Sequence, residues 1–375
     1  MAGGKPLANI AVCISSGEEG WAAEDIPAYC GARLALEALS RDRNLPVRLG
    51  WRLFDDRGDL ARTRAHAQEI AADPTIIGVV GPLGSAQALT SAPAFHAAGL
   101  VQVSPSASHP DLCRSGYTTF FRLVANDEAQ GRELASAAFD YLGARRAAVV
   151  HAEDAWAATL AGIFVRRYEA SGGRVVSLSK AVPGPADAAP AVEAILAANP
   201  DLVFFAIHPE QGPQVAAALR RAGCRAPFLG TDAMKPSFFL GGGRSGAEAY
   251  HTHSGADFRR LPSAAEFRRA YCARFRENST YSPEGYDAPT VIAEALRRAG
   301  SPDRARVLHE MRGIREWPGV SGPIGFDATG ERIGAAVGLY RVREHGGRLE
   351  MVFLGIASDL RRPGPSGAAR RTPAL

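Results

Sequence analysis

Three short polar segments each follow an apolar stretch predicted to be a strand, and they carry side chains suited to binding a small charged molecule. Gly81–Ser85 follows Ile76–Val80 and opens a helical pattern, so its backbone N–H groups and serine hydroxyl can hold an anion. Val103–Ser108 follows the next strand and has three serines in five residues. Gly230–Asp232 ends a later strand, and a carboxylate there can hold an ammonium group through charge-assisted hydrogen bonds.

Each of these residues also has a simpler interpretation within the chain's own turns. A serine at a helix start is often an N-cap, and an acid after a strand is most often a helix cap. Two tryptophans near loop starts, Trp21 and Trp156, can wall an apolar pocket, although most tryptophans pack in or near a core. The joint placement of all these residues after strands is therefore a stronger signal than any one of them.

Sequence patterns for catalysis and metal binding are incomplete. His151–Glu153 and His251–His253 resemble metal-ligand spacing but lack a third ligand at a recognisable distance. Gly241–Gly246 is rich in glycine but lacks the lysine of a phosphate-binding loop, and the chain has no Gly-x-Ser-x-Gly nucleophile motif. We therefore predict that the protein is not an enzyme and has neither a metal nor a cofactor.

The composition is that of a globular protein with more than one core. The chain has 375 residues, of which 46% are hydrophobic and 22% are charged, and this length suits two lobes of about 150 residues each. No apolar run reaches the ~18 residues of a membrane span, so we predict no membrane-spanning segment. The formal net charge is +4, with basic and acidic residues interspersed, which argues against nucleic-acid binding. Five cysteines without paired spacing give no support for a disulfide framework.

Apolar runs alternate with longer amphipathic segments, the pattern of βαβ units and parallel sheets. The predicted strands are Ala8–Ile14, Val47–Asp55, Ile76–Val80, Val101–Val103, Arg146–His151, Arg174–Leu178, Leu202–Ala206 and Phe228–Gly230. The predicted helices are Ala28–Arg41, Leu60–Ala72, Ser85–Ala98, Gln130–Leu142, Trp156–Ser171, Ala188–Asn199, Gly212–Ala222, Ala264–Arg276 and Tyr286–Ala299. Gly322–Asp327, Gly338–Arg343 and Leu349–Phe353 are predicted to be short antiparallel strands. Two open parallel sheets, roughly 5–122 and 125–249, would bind a ligand at the carboxyl ends of their strands, in a cleft between them.

Seven local motifs follow one another in a distinctive order. They are Ile76–Gln87, Val103–Leu112, Phe121–Gly131, Asp201–Phe205, Phe228–Asp232, Gly285–Ala288 and Gly319–Gly330. In this order they resemble the type I periplasmic substrate-binding proteins of ABC transporters, specifically the branched-chain amino-acid (leucine/isoleucine/valine) binding family. The resemblance covers roughly residues 6–355. It implies an α/β fold with two Rossmann-like lobes, each with a parallel sheet, joined by a multi-strand hinge.

The resemblance also implies which residues take the ligand. The implied ligand-binding residues are Ser85, Ser106, Ser108, Asp232, Trp21 and Trp156. The serines and their backbone would hold an α-carboxylate and share the ammonium group, which the aspartate would pair from the other lobe. The tryptophans fall where the family often has aromatic residues over the ligand's side chain. Because the aspartate stands where a longer glutamate is common, the implied ligand is a small α-amino acid or a related amide or acid, and not leucine in particular.

By the same resemblance, the N-terminal lobe would hold residues 5–122 and 251–333. The C-terminal lobe would hold 123–250 and 334–356, followed by a disordered tail over 357–375 that is rich in Pro, Gly and Arg. The implied function is non-catalytic ligand binding with hinge closure, for delivery to an ABC transporter permease from an extracytoplasmic position. The N-terminus shows no secretory signal, so a cytoplasmic position stays open. The alternative is then a cytoplasmic amide or amino-acid sensor of the same fold that acts through a regulatory partner.

Overall fold

The chain divides into two compact units, and it passes from one to the other three times. Unit 1 comprises Met1–Asp127 and Ser254–Ala336, and unit 2 comprises Glu128–His253 and Val337–Leu375. The computed structural model describes residues 5–16, 26–180, 188–208, 212–234, 249–255, 257, 259–275, 280–345 and 348–360, with the backbone alone at 344, 345 and 348–350.

The strands and helices follow one another in βαβ order until the last third of the chain. The strands are β1 (Leu7–Ile14), β2 (Arg48–Asp55), β3 (Ile76–Val80), β4 (Val101–Ser104), β5 (Phe120–Arg122), β6 (Arg146–His151), β7 (Arg174–Lys180), β8 (Leu202–Ala206), β9 (Phe228–Gly230), β10 (Ala249–His253), β11 (Trp317–Gly319), β12 (Gly322–Ile324), β13 (Gly338–His345) and β14 (Arg348–Ile356). The helices are α1 (Pro27–Leu39), α2 (Leu60–Ala72), α3 (Ser85–Ala97), α4 (Asp111–Arg114), α5 (Asp127–Ser136), α6 (Ala155–Ala170), α7 (Ala189–Ala198), α8 (Gly212–Arg221), α9 (Ala265–Arg274), α10 (Ser282–Ala299) and α11 (Arg304–Arg312).

Unit 1 is a three-layer α/β structure around a parallel sheet with strand order β2-β1-β3-β4-β5. One face of the sheet is covered by α1, α10 and α11, which bury a cluster that includes Leu36, Val291 and Val307. The other face is covered by α2 and α3, through residues such as Ile70 and Phe95. β3 is buried along its whole length, which is why it is a continuous apolar run without alternation.

Unit 2 is built on a larger sheet with strand order β14-β13-β10-β9-β8-β6-β7. The strands from β10 to β7 are parallel to one another, and β13 and β14 add an antiparallel edge. α7 and α8 pack on one face, through residues such as Ile195 and Leu219. α5 and α6 pack on the other face, through Leu134 and Phe164. Both units therefore present the carboxyl ends of parallel strands at one edge of a sheet.

The sequence prediction of the strands is confirmed for all eight, and the helix predictions need two corrections. The segment Gln130–Leu142 is not one α-helix, because α5 is followed by a π-helical turn, Ala137–Tyr141. The helix predicted to start at Tyr286 starts at Ser282, since Pro283 lies in its first turn, where a missing N–H costs nothing.

Five elements were missed, namely β5, β10, β11, α4 and α11, because they are short or their sequences carry little periodic apolar signal. β5 has only three residues, β10 contains two histidines, and α11 buries only Val307 and Met311. The segment predicted to be a disordered tail begins with a 3-10 turn, Ala357–Asp359. Its remainder, residues 361–375, lies outside the described residues.

Candidate functional site

Ser85 lies at the carboxyl-end edge of the unit 1 sheet, where the loop after β3 turns into α3. Gly84 is the N-cap residue, with an extended backbone, and Ser85 is the first helical residue. The simpler interpretation of Ser85 as an N-cap is therefore wrong. Its side chain is buried, and its Oγ accepts hydrogen bonds from the N–H groups of Ser108 and His109, each at 3.3 Å. Ser85 thus joins the loop after β3 to the loop after β4.

Ser104, the last residue of β4, and Ser106, in the loop that follows, both donate their hydroxyl hydrogens to backbone carbonyls of the protein. Ser104 is fully buried; its Oγ donates to the carbonyl of Pro82 at 2.8 Å and accepts from the N–H of Ala107 at 3.0 Å. Ser104 therefore shapes the turn. Ser106 Oγ donates to the carbonyl of Leu83 at 2.9 Å, so towards a ligand this hydroxyl oxygen can only accept.

Of the three candidate serines, Ser85 and Ser108 are the two whose hydroxyls remain able to donate to a ligand. Both residues are buried, and within the described part of the chain neither hydroxyl donates a hydrogen bond to the protein. The carbonyl of Ser108 accepts the N–H of Asp127 at 2.9 Å, which fixes the backbone on that side of the loop. Two hydroxyl donors on hydrogen-bonded loops are the kind of group that binds a carboxylate.

Arg122, at the end of β5, holds the second loop in place and is a functional residue that sequence reasoning missed. Its side chain is fully buried. The guanidinium donates to the carbonyls of Ala107 at 3.0 Å and His109 at 2.9 Å, one residue before and one after Ser108. Its Nε lies 3.0 Å from a carboxylate oxygen of Glu331, which supplies the counter-charge that a buried arginine requires. Arg122 therefore positions Ser108 without needing to contact a ligand.

Asp232 follows β9 at the carboxyl-end edge of the unit 2 sheet, beside a buried glutamine. Gln130 of α5 donates through Nε2 to Asp232 Oδ1 at 2.5 Å and to the hydroxyl of Thr252 at 3.3 Å. Although Asp232 keeps some exposed surface, the protein around its carboxyl desolvates it. Burial raises the pKa of Asp232, and the hydrogen bond from Gln130 acts in the opposite direction.

Trp156 lies in the first turn of α6 and packs against an imidazole–carboxylate pair. Its ring centroid is 5.1 Å from that of His208, which follows β8. His208 Nε2 lies 2.8 Å from Asp154 Oδ2. Asp154 is also the N-cap of α6, accepting from the N–H groups of Trp156 and Ala157. Burial acts to raise the pKa of Asp154, but His208 and the two N–H groups outweigh it and lower that pKa.

The sequence-predicted residues thus fall into two groups. Ser85, Ser106 and Ser108 come together in unit 1 on two connected loops. Trp156 and Asp232 both lie at the carboxyl-end edge of the unit 2 sheet, after β6 and β9, with β8 between those strands. Trp21 lies outside the described residues, as does the segment Gly241–Gly246.

Several other groups with chemical potential have structural explanations. His251 is buried and stacks on Tyr340, with ring centroids 5.2 Å apart. In the part of the chain that the structure describes, no three His, Cys, Asp or Glu side chains are grouped to share a metal ion. The five cysteines are all free thiols, and only Cys272 is exposed. Among the described helices, none combines the length and apolarity needed to cross a bilayer.

Comparison with known proteins identifies the class of this fold and site. The family described as periplasmic binding protein matches residues 19–348. A Leu/Ile/Val-binding protein of Rhizobium johnstonii is 24% identical over 313 residues, which are 83% of this chain and 85% of that protein. The structure of a leucine-binding protein, LivK, of Thermotoga maritima has a TM-score of 0.83 at 23% identity and covers 94% of this chain and 100% of its own. A solute-binding protein of Rhodopseudomonas palustris, solved with 3,4-dihydroxybenzoic acid, has a TM-score of 0.80 at 20% identity, covering 93% and 96%.

The chain belongs to the periplasmic binding protein family. Its fold is the two-lobed α/β fold of the type I members, as the sequence predicted. Proteins of this family bind substrates without converting them, so the prediction that the chain is not an enzyme is confirmed by its relatives. The relatives compared above are named as Leu/Ile/Val-binding and leucine-binding proteins. These relatives give no support to the alternative prediction of a cytoplasmic sensor.

Proposed function

We propose that this protein binds a small α-amino acid, or a close amide or acid analogue, outside the cytoplasm and delivers it to an ABC transporter permease. The observation that carries the proposal is the opposite chemistry of the two sheet edges. Unit 1 offers the hydroxyl donors of Ser85 and Ser108, and unit 2 offers the carboxyl group of Asp232. A zwitterion carries one anion and one cation, so a single ligand would use both.

The expected binding energy is consistent with such a ligand. A hydrogen bond to a charged group contributes about 1.5–3 kcal/mol. A handful of them, less the cost of association, gives the ~8 kcal/mol of a micromolar complex. A ligand held by donors on one unit and an acid on the other favours whichever arrangement of the units lets it use both, because it stabilises that arrangement by its additional contacts.

The residues around Trp156 set the proposed environment of the ligand's side chain. The indole ring offers an apolar surface, and the His208–Asp154 pair beside it offers polar groups. Relatives named for leucine, isoleucine and valine binding support an amino acid, whereas the neighbour solved with 3,4-dihydroxybenzoic acid makes aromatic acids the competing class. The ligand panel must therefore contain both classes.

The test is a thermal-shift screen of the purified protein with the twenty L-amino acids, their amides, their des-amino acids and 3,4-dihydroxybenzoate. A ligand that binds only the folded protein raises the unfolding midpoint by mass action. We expect shifts with α-amino acids that disappear in Asp232→Ala. The matched control is Asp201→Asn, since Asp201 lies at the opposite edge of the same sheet and accepts the N–H groups of Arg145 and Arg146.

Two results of this screen would contradict the proposal. Amino-acid shifts that survive in Asp232→Ala remove the ammonium role of this residue. Shifts with 3,4-dihydroxybenzoate or des-amino acids alone make the protein a carboxylic-acid receptor. In the same screen Trp156→Ala is expected to change the order of preferred side chains while the requirement for the α-carboxylate persists.

The transport part of the proposal needs a separate experiment in cells. Fractionation of the source bacterium should place the protein outside the cytoplasm. Uptake of the radiolabelled ligand should fall on deletion of the gene and return on complementation with wild type but not with Asp232→Ala. A cytoplasmic protein, or uptake that the deletion leaves unchanged, would contradict delivery to a permease.

A further inference from the structure

Gln130 of α5 donates both hydrogens of its amide nitrogen to side chains of unit 2, while its amide oxygen has no hydrogen-bond partner among the described residues. The side chain is only 1% exposed. Nε2 donates to Asp232 Oδ1 and to the Thr252 hydroxyl, while Oε1 is buried and accepts no hydrogen bond from the residues that the structure describes. An unsatisfied buried carbonyl oxygen destabilises a fold, so its presence in a native structure requires an explanation.

The neighbouring carboxyl group supplies this explanation. Turning the amide by half a turn would put Oε1 against Oδ1 of Asp232, two acceptors in contact. The carboxylate therefore dictates which amide atom faces it. A leucine or methionine would fill the same volume without an unsatisfied oxygen, so packing alone does not account for an amide at this position. The group that benefits from Gln130 is Asp232.

We infer that Gln130 is a positioning residue for ligand binding, which holds the Asp232 carboxylate through Oδ1 in the orientation that receives an ammonium group. This inference rests on the proposed function. A carboxylate has about four acceptor positions on its two oxygens, so an amide bond to one oxygen leaves the group able to accept from a ligand.

The electrostatics of Asp232 support the same role. Burial raises the pKa of this carboxyl, and the Gln130 hydrogen bond is the largest influence in the opposite direction. The titratable side chains on α5, which carries Gln130, and on β10, which carries its second partner Thr252, are Asp127, Glu128, Arg132 and Glu133 of α5 and Tyr250, His251 and His253 of β10.

Of these groups, Glu128 is engaged with Arg167, and Glu133 accepts the N–H of Ser358. The two histidines alternate with Thr252 along β10 and so lie on the other face of the strand. The amide is therefore the main side chain that limits the rise in the pKa of Asp232 caused by burial.

The first experiment measures Asp232 directly and needs no ligand. The carboxyl carbon of Asp232 is titrated by NMR in aspartate-labelled, ligand-free protein, with the signal assigned by its loss in Asp232→Asn. In Gln130→Leu we expect the titration midpoint to move to higher pH. The matched control is Gln102→Leu, because Gln102 is a fully buried glutamine of unit 1 whose Oε1 is likewise unsatisfied, and this substitution should leave the midpoint in place.

The second experiment measures binding by calorimetry, with L-leucine and its des-amino counterpart 4-methylpentanoate as probes, across a range of pH. In Gln130→Leu, affinity for L-leucine should fall about tenfold or more on the acid side of the profile, the loss expected for one hydrogen bond to a charged group. The loss should shrink as pH rises. Affinity for 4-methylpentanoate should not fall.

The outcomes separate this inference from the proposed function. An unmoved midpoint in folded Gln130→Leu, or an equal loss of both probes, overturns the positioning role. Failure of the wild-type protein to bind any amino acid overturns the proposed function, while the NMR titration still decides what Gln130 does to Asp232. Gln130→Met, with the same expectations, replaces Gln130→Leu if the leucine variant fails to fold.

Discussion

At the scale of single residues, the candidate site depends on buried charges that are paired away from the ligand. The Arg122 guanidinium is fully buried, and it is matched by Glu331 and by two loop carbonyls. Glu331 in turn accepts a hydrogen bond from Asn126 at 3.0 Å. Removing one member of a buried ion pair costs about 3–5 kcal/mol, because it leaves the other charge buried and unmatched. This network fixes the loop of Ser108 more firmly than its turn sequence alone would.

We expect Arg122→Met to lower stability by about 3–5 kcal/mol and also to weaken recognition of the ligand's carboxylate, since Ser108 loses its support. The control is Arg304→Met. Arg304 also donates to backbone carbonyls of unit 1, those of Ala71 and Ile76, but these lie before β3 and at its first residue, at the opposite edge of the sheet. Urea unfolding and calorimetry with the ligand found in the screen check both variants. Equal loss of affinity in the two would mean that Arg122 acts only through stability.

The types of residue that follow the strands identified the candidate site residues. The role of each side chain, however, depends on contacts that no sequence pattern encodes. The serines at 85, 106 and 108 were all singled out, yet only the structure distinguishes the committed hydroxyl of Ser106 from that of Ser85. Arg122 was missed because a charged residue in an apolar segment looks the same whether it faces solvent or a loop. Gln130 was missed because an amide among the charged residues of α5 looks like part of an exposed helix face. The available signal was Arg122 directly after two buried phenylalanines.

At the scale of elements, the closest helix pair in unit 1 is made possible by two glycines. A Cβ atom on Gly31 of α1 would lie 2.1 Å from the carbonyl oxygen of Ser282, and one on Gly285 of α10 would lie 2.0 Å from that of Ala28. Neither neighbour can move easily, because each is helix backbone. The glycine of the Gly285–Ala288 motif is thus required by helix packing rather than by the ligand.

Gly31→Ala should destabilise the protein by about 1–3 kcal/mol or more, because the added methyl group overpacks the interface between α1 and α10. The matched control is Gly162→Ala in α6, where the new Cβ would be 3.7 Å from its nearest neighbour, the side chain of Arg166. There alanine should stabilise by about 0.5–1 kcal/mol through helix propensity. Chemical denaturation measures both. Stability changes of the same sign would contradict the packing argument.

The central strands were predictable because parallel strands buried on both faces are apolar runs with clear ends. The short elements were not, since β5 and β10 take their strand conformation from neighbours in the sheet and not from their own composition. The role of Asp287, in the Gly285–Ala288 motif, was unpredictable for the same reason, because it depends on contacts with a distant segment. It is buried and accepts the N–H groups of Val320 and Ser321 at 2.9 and 2.7 Å, so two motifs far apart in sequence form one contact.

At the scale of the whole molecule, each unit has its own sheet, its own helical layers and its own proposed half of the ligand's chemistry. Family membership and a TM-score of 0.83 to a leucine-binding protein agree with the fold class predicted from the order of motifs. The class was predictable because seven weak signals in one order are strong together. The ligand's side chain was not, because it depends on a few residues such as Trp156 and His208.

If one ligand uses both units, hydrogen–deuterium exchange should report protection in both. Adding the ligand identified by the screen should slow exchange in the loop peptides around Ser85 and Ser108 and in the peptide that contains Asp232. The Arg304 region, at the far edge of the unit 1 sheet, serves as the internal reference and should not change. Protection confined to one unit would mean that the ligand is bound by that unit alone.

The three passages of the chain between the units have a consequence for synthesis on the ribosome. When residue 250 has been made, the five strands of unit 1 are already available, yet α10 and α11, which cover one face of that sheet, have not been translated. Unit 2 in turn lacks β13 and β14 until residue 356. Unit 1 therefore cannot complete its core before residue 312, nor unit 2 before residue 356. Both units therefore stay incomplete for much of synthesis, which is the state in which holding chaperones bind their clients.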